Sequence, residues 1–307
     1  MPQPTEKKLP KHHYIPVFYL RQWKGGDGRL CEYSRPYKKV VPRRTSPDGT
    51  GYVRGLYRLP NVSDTRAELV ETIYMKVVDD GAARALRILL DDNAGPSQLN
   101  DRMKADWARF LHCLILRSPE YISAMSTLLA HNVGDYVDVI RDRYEEERKP
   151  TDPETFEEYK AQFIANPLNT FAPRIINRIV DNPNIIGHMC GMRWHVVRFS
   201  SSRHLLLTSD RPIIMTNGVR RPRAHMALPI SPSQLFIAFN DDEGYRQVRN
   251  LSPKELIKIS NTKVVEQARK YAYGFSDADL SFVSSRLGKQ IPATPLETGI
   301  LRLAASV

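Results

Sequence analysis

A change between two hydrophobic periods, of two residues and of 3.6 residues, is the feature that most constrains how this chain can fold. Apolar residues alternate in a short segment near the N-terminus, residues 29–35, and residues 38–44 could be its hairpin partner. The middle of the chain has helical periodicity, and short apolar runs bounded by turn residues return after residue 182. Strands, then helices, then strands and a last helix predict an α+β fold.

The same changes of period divide the chain into three predicted segments. Residues 1–63 hold an N-terminal motif and a hairpin, residues 64–182 form a helical lobe, and residues 183–307 form a C-terminal α+β lobe. That last lobe should contain an antiparallel sheet, followed by a helix from Ser252 with Glu255 completing a capping box. A chain of 307 residues can form one large domain or two, and we expect the three segments to be integrated in one.

An excess of positive charge bounds the kind of partner. The chain has 45 Lys and Arg against 34 Asp and Glu, a net charge of +11. This excess favours contact with DNA, RNA or another polyanion, although a basic surface without a binding partner is the alternative. Two basic strips could hold a phosphate backbone: Lys38, Lys39, Arg43 and Arg44 in the first, and Arg220, Arg221 and Arg223 in the second. Lysines on an edge strand near Pro42 could instead serve to block unwanted strand pairing.

The cysteines and the apolar runs indicate a compartment. Cys31, Cys113 and Cys190 are far apart and form no C-x-x-C pair, which is typical of buried free thiols in a reducing environment. The N-terminus lacks the apolar core of a signal peptide, and no apolar run approaches the roughly 18 residues of a membrane helix. We therefore expect a cytoplasmic protein that is not associated with a membrane.

Residues 12–23, with the sequence HHYIPVFYLRQW, are the most distinctive stretch. Pro16 suits the first turn of a helix, which would place Tyr19, Leu20 and Trp23 on one face. His12 and His13 then lie just before a helix N-terminus, where the helix dipole and the neighbouring imidazole both disfavour a charged ring. Neutral imidazole can accept a proton or bind a metal ion. On an extended backbone the two rings point to opposite sides, so a single metal ion could not easily bind both. The alternative role of the two histidines is packing and hydrogen bonding where two lobes meet.

This stretch resembles the opening motif of a family of uncharacterised proteins, domain of unknown function 4238. Further segments resemble the same family: an Arg-x-Pro step at Arg117–Pro119, Ser209-Asp210-Arg211-Pro212, residues 228–232 (LPISP), Asn261, and residues 268–274. A paired-acid pattern of the family maps onto Glu71 and Asp79, although the family usually has Glu at the second place. The resemblance implies a shared fold and a shared site, and it brings no known activity.

Three further residues are candidates for chemistry. Asp210 follows an apolar strand, which is a common place for a ligand or a base, and its alternative role is to stabilise a turn. Glu71 and Asp79 would lie roughly 12 Å apart on one helix, too far to share an ion, and could instead pair with arginines such as Arg84 or Arg87. Arg117 ends an apolar helix, so we expect it to be partly buried and to bind a carboxylate or a phosphate.

Two mechanisms fit these candidates. In one, His12 or His13 with Asp210, and with Glu71 if it approaches, holds a divalent metal ion that activates water. In the other, a neutral histidine acts as general base and Arg117 stabilises a developing phosphate charge. The leading hypothesis is thus a phosphodiester-directed hydrolase, most simply a nuclease. The alternative is a non-catalytic protein that binds nucleic acid or another partner, with the HHYIP and SDRP segments joining the lobes.

Missing motifs exclude several other classes. The chain has no P-loop and no G-x-G-x-x-G after a strand, which argues against nucleoside-triphosphate hydrolysis and dinucleotide redox chemistry. It has no H-E-x-x-H or HNH-like run and no G-x-S-x-G elbow. The residues leave the substrate, the identity of any metal and the oligomeric state open.

Overall fold

A computed structural model gives the fold of residues 9–57, 75–125, 141, 144–148, 152–165, 181–200, 205–216 and 221–291. The predicted α+β class is confirmed, with helices and three antiparallel sheets in the described part of the chain. The strands are β1 (Lys11–His13), β2 (Leu30–Ser34), β3 (Val41–Thr45), β4 (Tyr52–Arg54), β5 (Arg193–Arg198), β6 (Thr208–Ser209), β7 (Ile214–Met215), β8 (His225–Ser231), β9 (Gln234–Phe239) and β10 (Tyr271–Gly274).

Most of the helices, numbered here over the described residues only, follow one another between β4 and β5 or lie on either side of β10. The helices are α1 (Val17–Leu20), α2 (Lys76–Leu90), α3 (Asp101–Leu116), α4 (Tyr144–Glu147), α5 (Phe156–Ala165), α6 (Pro183–Gly191), α7 (Asp242–Arg249), α8 (Pro253–Glu266) and α9 (Leu280–Ser284). Residues 119–125 are also helical. Asn100 caps α3 by accepting the Met103 N–H, and Ser252 and Glu255 form the predicted capping box of α8.

The opening motif combines one short turn of α-helix with a 3₁₀ turn. Pro16 stands at the N-cap of the four-residue α1, one position before its expected place, and residues Arg21–Trp23 continue as a 3₁₀ turn. Tyr19, Leu20 and Trp23 are all fully buried, as the helical spacing predicts. Hydrogen bonds then fix the motif: the Tyr19 hydroxyl donates to the Pro229 carbonyl (2.7 Å) and the Trp23 indole donates to the Leu206 carbonyl (2.9 Å).

A four-stranded sheet of order β5-β9-β8-β7 separates two hydrophobic cores. Phe236 and Ala238 face the first core, which also receives α2, α3 and the opening motif. Leu235, Ile237 and Phe239 alternate with them and face the second core, which receives α8 and α9. Side chains from all three predicted segments contribute to the first core.

A second four-stranded sheet, of order β3-β2-β10-β6, joins the beginning and the end of the described chain. The hairpin of β2 and β3 was predicted, and β3 lies at the sheet edge as Pro42 suggested. The pairing of β2 with β10, which aligns Glu32 with Tyr273, was not predicted. A third, two-stranded sheet pairs β1 with β4 and places His12 opposite Val53.

Candidate functional site

His12 is held inside the protein by the main chain of a neighbouring segment. His12 lies on the buried face of β1, and only 1% of its surface is exposed. The ring accepts the Tyr57 N–H at Nδ1 (2.9 Å) and stacks on the Tyr57 ring, with centroids 5.4 Å apart. The Tyr57 hydroxyl in turn donates to the Arg117 carbonyl at the end of α3 (3.0 Å). His12 thus connects the opening motif to the helical part of the molecule.

His13 occupies the opposite face, as predicted for an extended backbone. Its ring is half-buried, lies edge-on to Tyr52, and has Nε2 at 3.4 Å from the Asp48 carbonyl oxygen. Burial lowers the pKa of His13 below its ordinary value; the Asp48 carbonyl opposes this, and the Lys11 and Arg117 charges reinforce it. The imidazole is therefore neutral at pH 7, the form predicted from the sequence.

Arg117 is fully enclosed and forms an ion pair. Its Nη1 donates to Asp79 Oδ1 at 2.9 Å, and none of its side-chain surface is exposed. Burial acts to lower the pKa of the guanidinium, but the Asp79 carboxylate outweighs it, so the pKa lies above its ordinary value. Asp79 therefore pairs with Arg117, whereas the sequence suggested Arg84 or Arg87 as arginine partners. An arginine enclosed in this way cannot reach a phosphate outside the protein without a rearrangement.

Asp210 is a buried acceptor for the main chain. Its carboxylate accepts three N–H groups from the first residue of β10 and the two residues before it: those of Arg269 (2.9 Å), Lys270 (2.6 Å) and Tyr271 (2.9 Å). Burial outweighs these hydrogen bonds and raises the pKa of Asp210 to about 6. The alternative weighed from the sequence is that Asp210 stabilises its own turn; its donors instead lie about 60 residues away along the chain. Within the described part of the chain no contact joins His13 to Asp210.

Two of the predicted site residues lie outside the described residues, Glu71 of the acid pair and Arg220 of the second basic strip. The other basic residues fall into two groups. Arg43 and Arg44 are held by acids, Arg43 by Glu32 (2.9 Å) and Arg44 by Asp27 (2.6 Å). Lys38, Lys39, Arg221 and Arg223 are exposed and form no ion pair with a described residue.

A row of polar side chains crosses the sheet of β3, β2, β10 and β6, and the sequence did not reveal it. The register aligns Arg43, Glu32, Tyr273 and Thr208 on neighbouring strands. Thr50 lies over the row, donates to Glu32 and lies 3.1 Å from the Tyr273 hydroxyl. The residue after Thr50 is Gly51, and its φ of +65° suits glycine. The Gly51 carbonyl accepts the Tyr14 N–H at 2.9 Å.

The Tyr14 phenol feels the charges of Asp210, Tyr271, Glu120 and Glu32, and the Tyr273 phenol feels those of Tyr14, Asp210 and Glu32. We call these six electrostatically linked residues the Tyr14 cluster. Burial first, and then the charges of Asp210 and Glu120, raise the pKa of the Tyr14 phenol above its ordinary value. Glu120 directly follows the Arg-x-Pro step, and Tyr14 lies within HHYIP. Their positions at family motifs are the sequence feature that could have identified them.

Neither a metal site nor a membrane span is defined by these residues. In the part of the chain that the structure describes, no group of three His, Cys, Asp or Glu side chains is placed to hold a metal ion. The same residues include no helix with the length and apolar character needed to cross a bilayer.

The fold and these contacts define an α+β protein in which the distinctive motifs meet around two enclosed charged groups, the Arg117–Asp79 pair and Asp210. The chain belongs to the family described as protein of unknown function DUF4238, whose model matches residues 11–278. No match was found among curated proteins or among solved structures.

Proposed function

We propose that the protein binds nucleic acid, with the turn between β2 and β3 as the contact surface and the HHYIP and SDRP segments as its scaffold. The observation that carries this proposal is the composition of the turn: Tyr37 is 89% exposed, and Lys38 and Lys39 beside it are exposed and form no ion pair with a described residue. Cations that neutralise phosphates, next to an aromatic ring on which a base can stack, suit a single strand.

The alternative role for these lysines has less support in the fold. Edge-strand lysines block unwanted pairing when they lie on the strand itself. The edge strand β3 begins at Val41, so Lys38 and Lys39 precede it and lie in the turn. Arg43 and Arg44 do lie on the strand, and their guanidinium groups already bind Glu32 and Asp27. Within the first basic strip, the two lysines are therefore the cations that are available for an external phosphate.

Binding of labelled single-stranded RNA and DNA, measured by fluorescence anisotropy over a series of salt concentrations, tests the proposal. Replacement of both Lys38 and Lys39 by alanine should weaken binding about tenfold at low salt and reduce the slope of log K against log salt by about 1.4, because about 0.7 counterions are released per neutralised phosphate of a single strand. Tyr37→Ala should weaken binding of single strands more than binding of duplexes.

The matched control removes the same charge elsewhere. Arg221 and Arg223 are also exposed and lie in the turn before β8, so the variant with alanine at both positions has the same net charge as the double lysine variant. If the arginine variant loses as much affinity, binding is not specific to the β2–β3 turn and the proposed surface is wrong. Absence of binding by the unmodified protein at low salt would contradict nucleic-acid binding altogether.

Phosphodiester hydrolysis is a second candidate, favoured by the surroundings of His13. The neutral imidazole lies beside the Tyr52 ring. Two cations also lie near the Tyr52 ring: Lys11 Nζ is 4.6 Å and the Arg54 guanidinium carbon is 6.0 Å from its centroid. A neutral histidine can act as general base, and neighbouring cations can hold a phosphate in the place that we assigned to Arg117 from the sequence.

A His13→Ala variant tests this candidate. Loss of a general base should lower turnover of single-stranded RNA or DNA about 100-fold or more, while affinity in the anisotropy assay stays within about twofold. The assay is run with Mg²⁺, with Mn²⁺ and with a chelator, because the metal-assisted mechanism is also open. No turnover by the unmodified protein under all three conditions, or equal turnover by His13→Ala, would rule the candidate out.

A further inference from the structure

One face of the two-stranded sheet of β1 and β4 carries two cations, an imidazole and a phenol. The register places Lys11 opposite Arg54 and His13 opposite Tyr52, and side chains that are directly opposite in an antiparallel pair lie on the same face. Lys11, His13 and Tyr52 are half-buried and Arg54 is exposed, so a ligand can reach them from solvent. We call these four residues the β1–β4 face.

Lys11 and Arg54 are a pair of like charges that the described residues do not neutralise. Like charges directly opposite each other destabilise an antiparallel pair. Neither cation forms an ion pair with a described residue; each donates to a main-chain carbonyl instead, Lys11 Nζ to that of Asp48 (3.0 Å) and Arg54 Nη1 to that of Leu9 (2.6 Å). A carbonyl has no net charge, so two positive charges remain side by side on this face.

Measured distances show that the polar groups of the β1–β4 face converge. Lys11 Nζ and His13 Nε2 lie 3.0 and 3.4 Å from the same atom, the Asp48 carbonyl oxygen, so an ammonium and an imidazole already meet at one oxygen. The Tyr52 ring is their common neighbour: its centroid is 4.6 Å from Lys11 Nζ, 5.5 Å from the His13 centroid and 6.0 Å from the Arg54 guanidinium carbon. One small ligand beside this ring can therefore contact both cations.

We propose that the β1–β4 face binds a terminal phosphate, the dianionic group of a phosphate monoester or of inorganic phosphate. The charges match, because two cations balance a dianion but exceed the single charge of a phosphodiester. The Arg54 guanidinium can bind two phosphate oxygens at once, and Lys11 can bind a third as a point charge. The Asp48 carboxylate is the nearest acid: a hydrogen bond to Ser46, and then the charges of Lys11 and His13, lower its pKa, but it forms no ion pair with either.

This site deepens the second candidate function, phosphodiester hydrolysis, because cleavage of a phosphodiester leaves a terminal phosphate on one product. It rests on that function for any reaction at His13 but not for binding. The β2–β3 turn is not involved. Binding of a small phosphate compound is measured without a strand and without turnover, so failure of this proposal and failure of either proposed function are separate results.

Isothermal titration calorimetry of the full chain with methyl phosphate, inorganic phosphate and dimethyl phosphate, at about pH 8 and constant ionic strength, tests the proposal. Methyl phosphate is a dianion at this pH, whereas dimethyl phosphate has one more methyl group and a single charge. Methyl phosphate and inorganic phosphate should each bind about fivefold or more tightly than dimethyl phosphate, the effect of one additional ion pair at a part-exposed site.

Single charge removals show which side chains bind the phosphate. Lys11→Gln and Arg54→Gln each remove one cation and should each weaken binding of methyl phosphate about fivefold. Lys258→Gln and Arg249→Gln make the same chemical changes at exposed positions of α8 and α7 and should leave binding unchanged.

Arg54→Glu separates binding from stability. This change places an acid opposite Lys11, so it should abolish binding of methyl phosphate and at the same time remove the repulsion between like charges. The midpoint of thermal unfolding should therefore stay the same or rise. A cation that only stabilises the sheet predicts the reverse, a lower midpoint with no connection to phosphate.

Thermal unfolding shows whether each variant is folded, and the two Arg54 variants decide the matter if Lys11→Gln is not, since Arg54 is exposed. The proposal is overturned if neither methyl phosphate nor inorganic phosphate binds saturably, or if dimethyl phosphate binds equally well. It is also overturned if Arg54→Gln and Arg54→Glu bind methyl phosphate as tightly as the unmodified protein.

Discussion

Replacement of Asp210 by alanine is expected to lower the free energy of unfolding by about 3–5 kcal/mol. The change leaves three main-chain N–H groups, those of residues 269–271, without an acceptor in a buried environment. Each unsatisfied buried donor costs roughly 1–3 kcal/mol, and the effects within one group are less than additive. Urea unfolding at pH 7 measures the difference. Asp80→Ala removes an exposed carboxylate from α2 and should cost less than about 0.5 kcal/mol.

Asp210 should also leave a signature in the dependence of stability on pH. Its pKa is raised from 3.8 to about 6 in the folded protein, so the folded state binds this proton more tightly than the unfolded state does. The stabilisation is complete below about pH 4 and is lost as the pH rises through about 6, by up to about 3 kcal/mol, since one pKa unit corresponds to about 1.4 kcal/mol.

The comparison of unmodified protein with Asp210→Asn isolates that contribution, because carboxylates such as Asp27 and Asp241, whose pKa values are lowered, act in the opposite direction in both proteins. Unfolding free energies are measured in urea at intervals between pH 4 and pH 7. The difference between the two proteins should change across this window. A constant difference would mean that Asp210 does not titrate there.

Replacement of Asp79 by alanine is the second large effect that we expect, a loss of about 3 kcal/mol or more. Arg117 would remain as an enclosed guanidinium without its carboxylate, and breaking one side of a buried ion pair typically costs about 3–5 kcal/mol. Urea unfolding measures this loss too, again with Asp80→Ala as the neighbouring control on the same helix. An equal effect of both changes would show that the ion pair contributes nothing.

A double variant separates the pair from the packing around it. With Asp79→Leu and Arg117→Met together, apolar side chains of similar volume replace both charges, and such exchanges are often neutral or stabilising. The double variant should therefore be more stable than Asp79→Ala by about 2 kcal/mol or more. If the double variant is less stable than Asp79→Ala, the two charges contribute more to stability than their mutual neutralisation.

Elements that depend on neighbouring residues could be predicted from the sequence. The hairpin of β2 and β3, the capping box at Ser252 and the strand β9 each follow from short patterns, and all are present. The family motifs also identified Asp210 and Arg117 as unusual positions. Their partners could not be predicted, because Asp79 and the main chain of residues 269–271 reach them only through the tertiary fold.

The Tyr14 cluster could not be predicted from the sequence for the same reason. Glu32, Glu120 and Asp210 follow one another at intervals of about 90 residues along the chain, and each resembles an ordinary acid in its own segment. The placement of β10 between β2 and β6 brings Glu32 of β2 and Asp210, which follows β6, to the same sheet. Periodicity indicates that strands exist, but it does not say which strands pair across long distances.

The position of β10 also has a consequence for biosynthesis. Both neighbours of this strand precede it in the chain, and β2 does so by about 240 residues. As the polypeptide leaves the ribosome, one side of β2 presents open backbone donors and acceptors until β10 has been translated. Contacts that close so late slow folding and favour association between nascent chains, so this protein depends on β10 to shield the hairpin of β2 and β3.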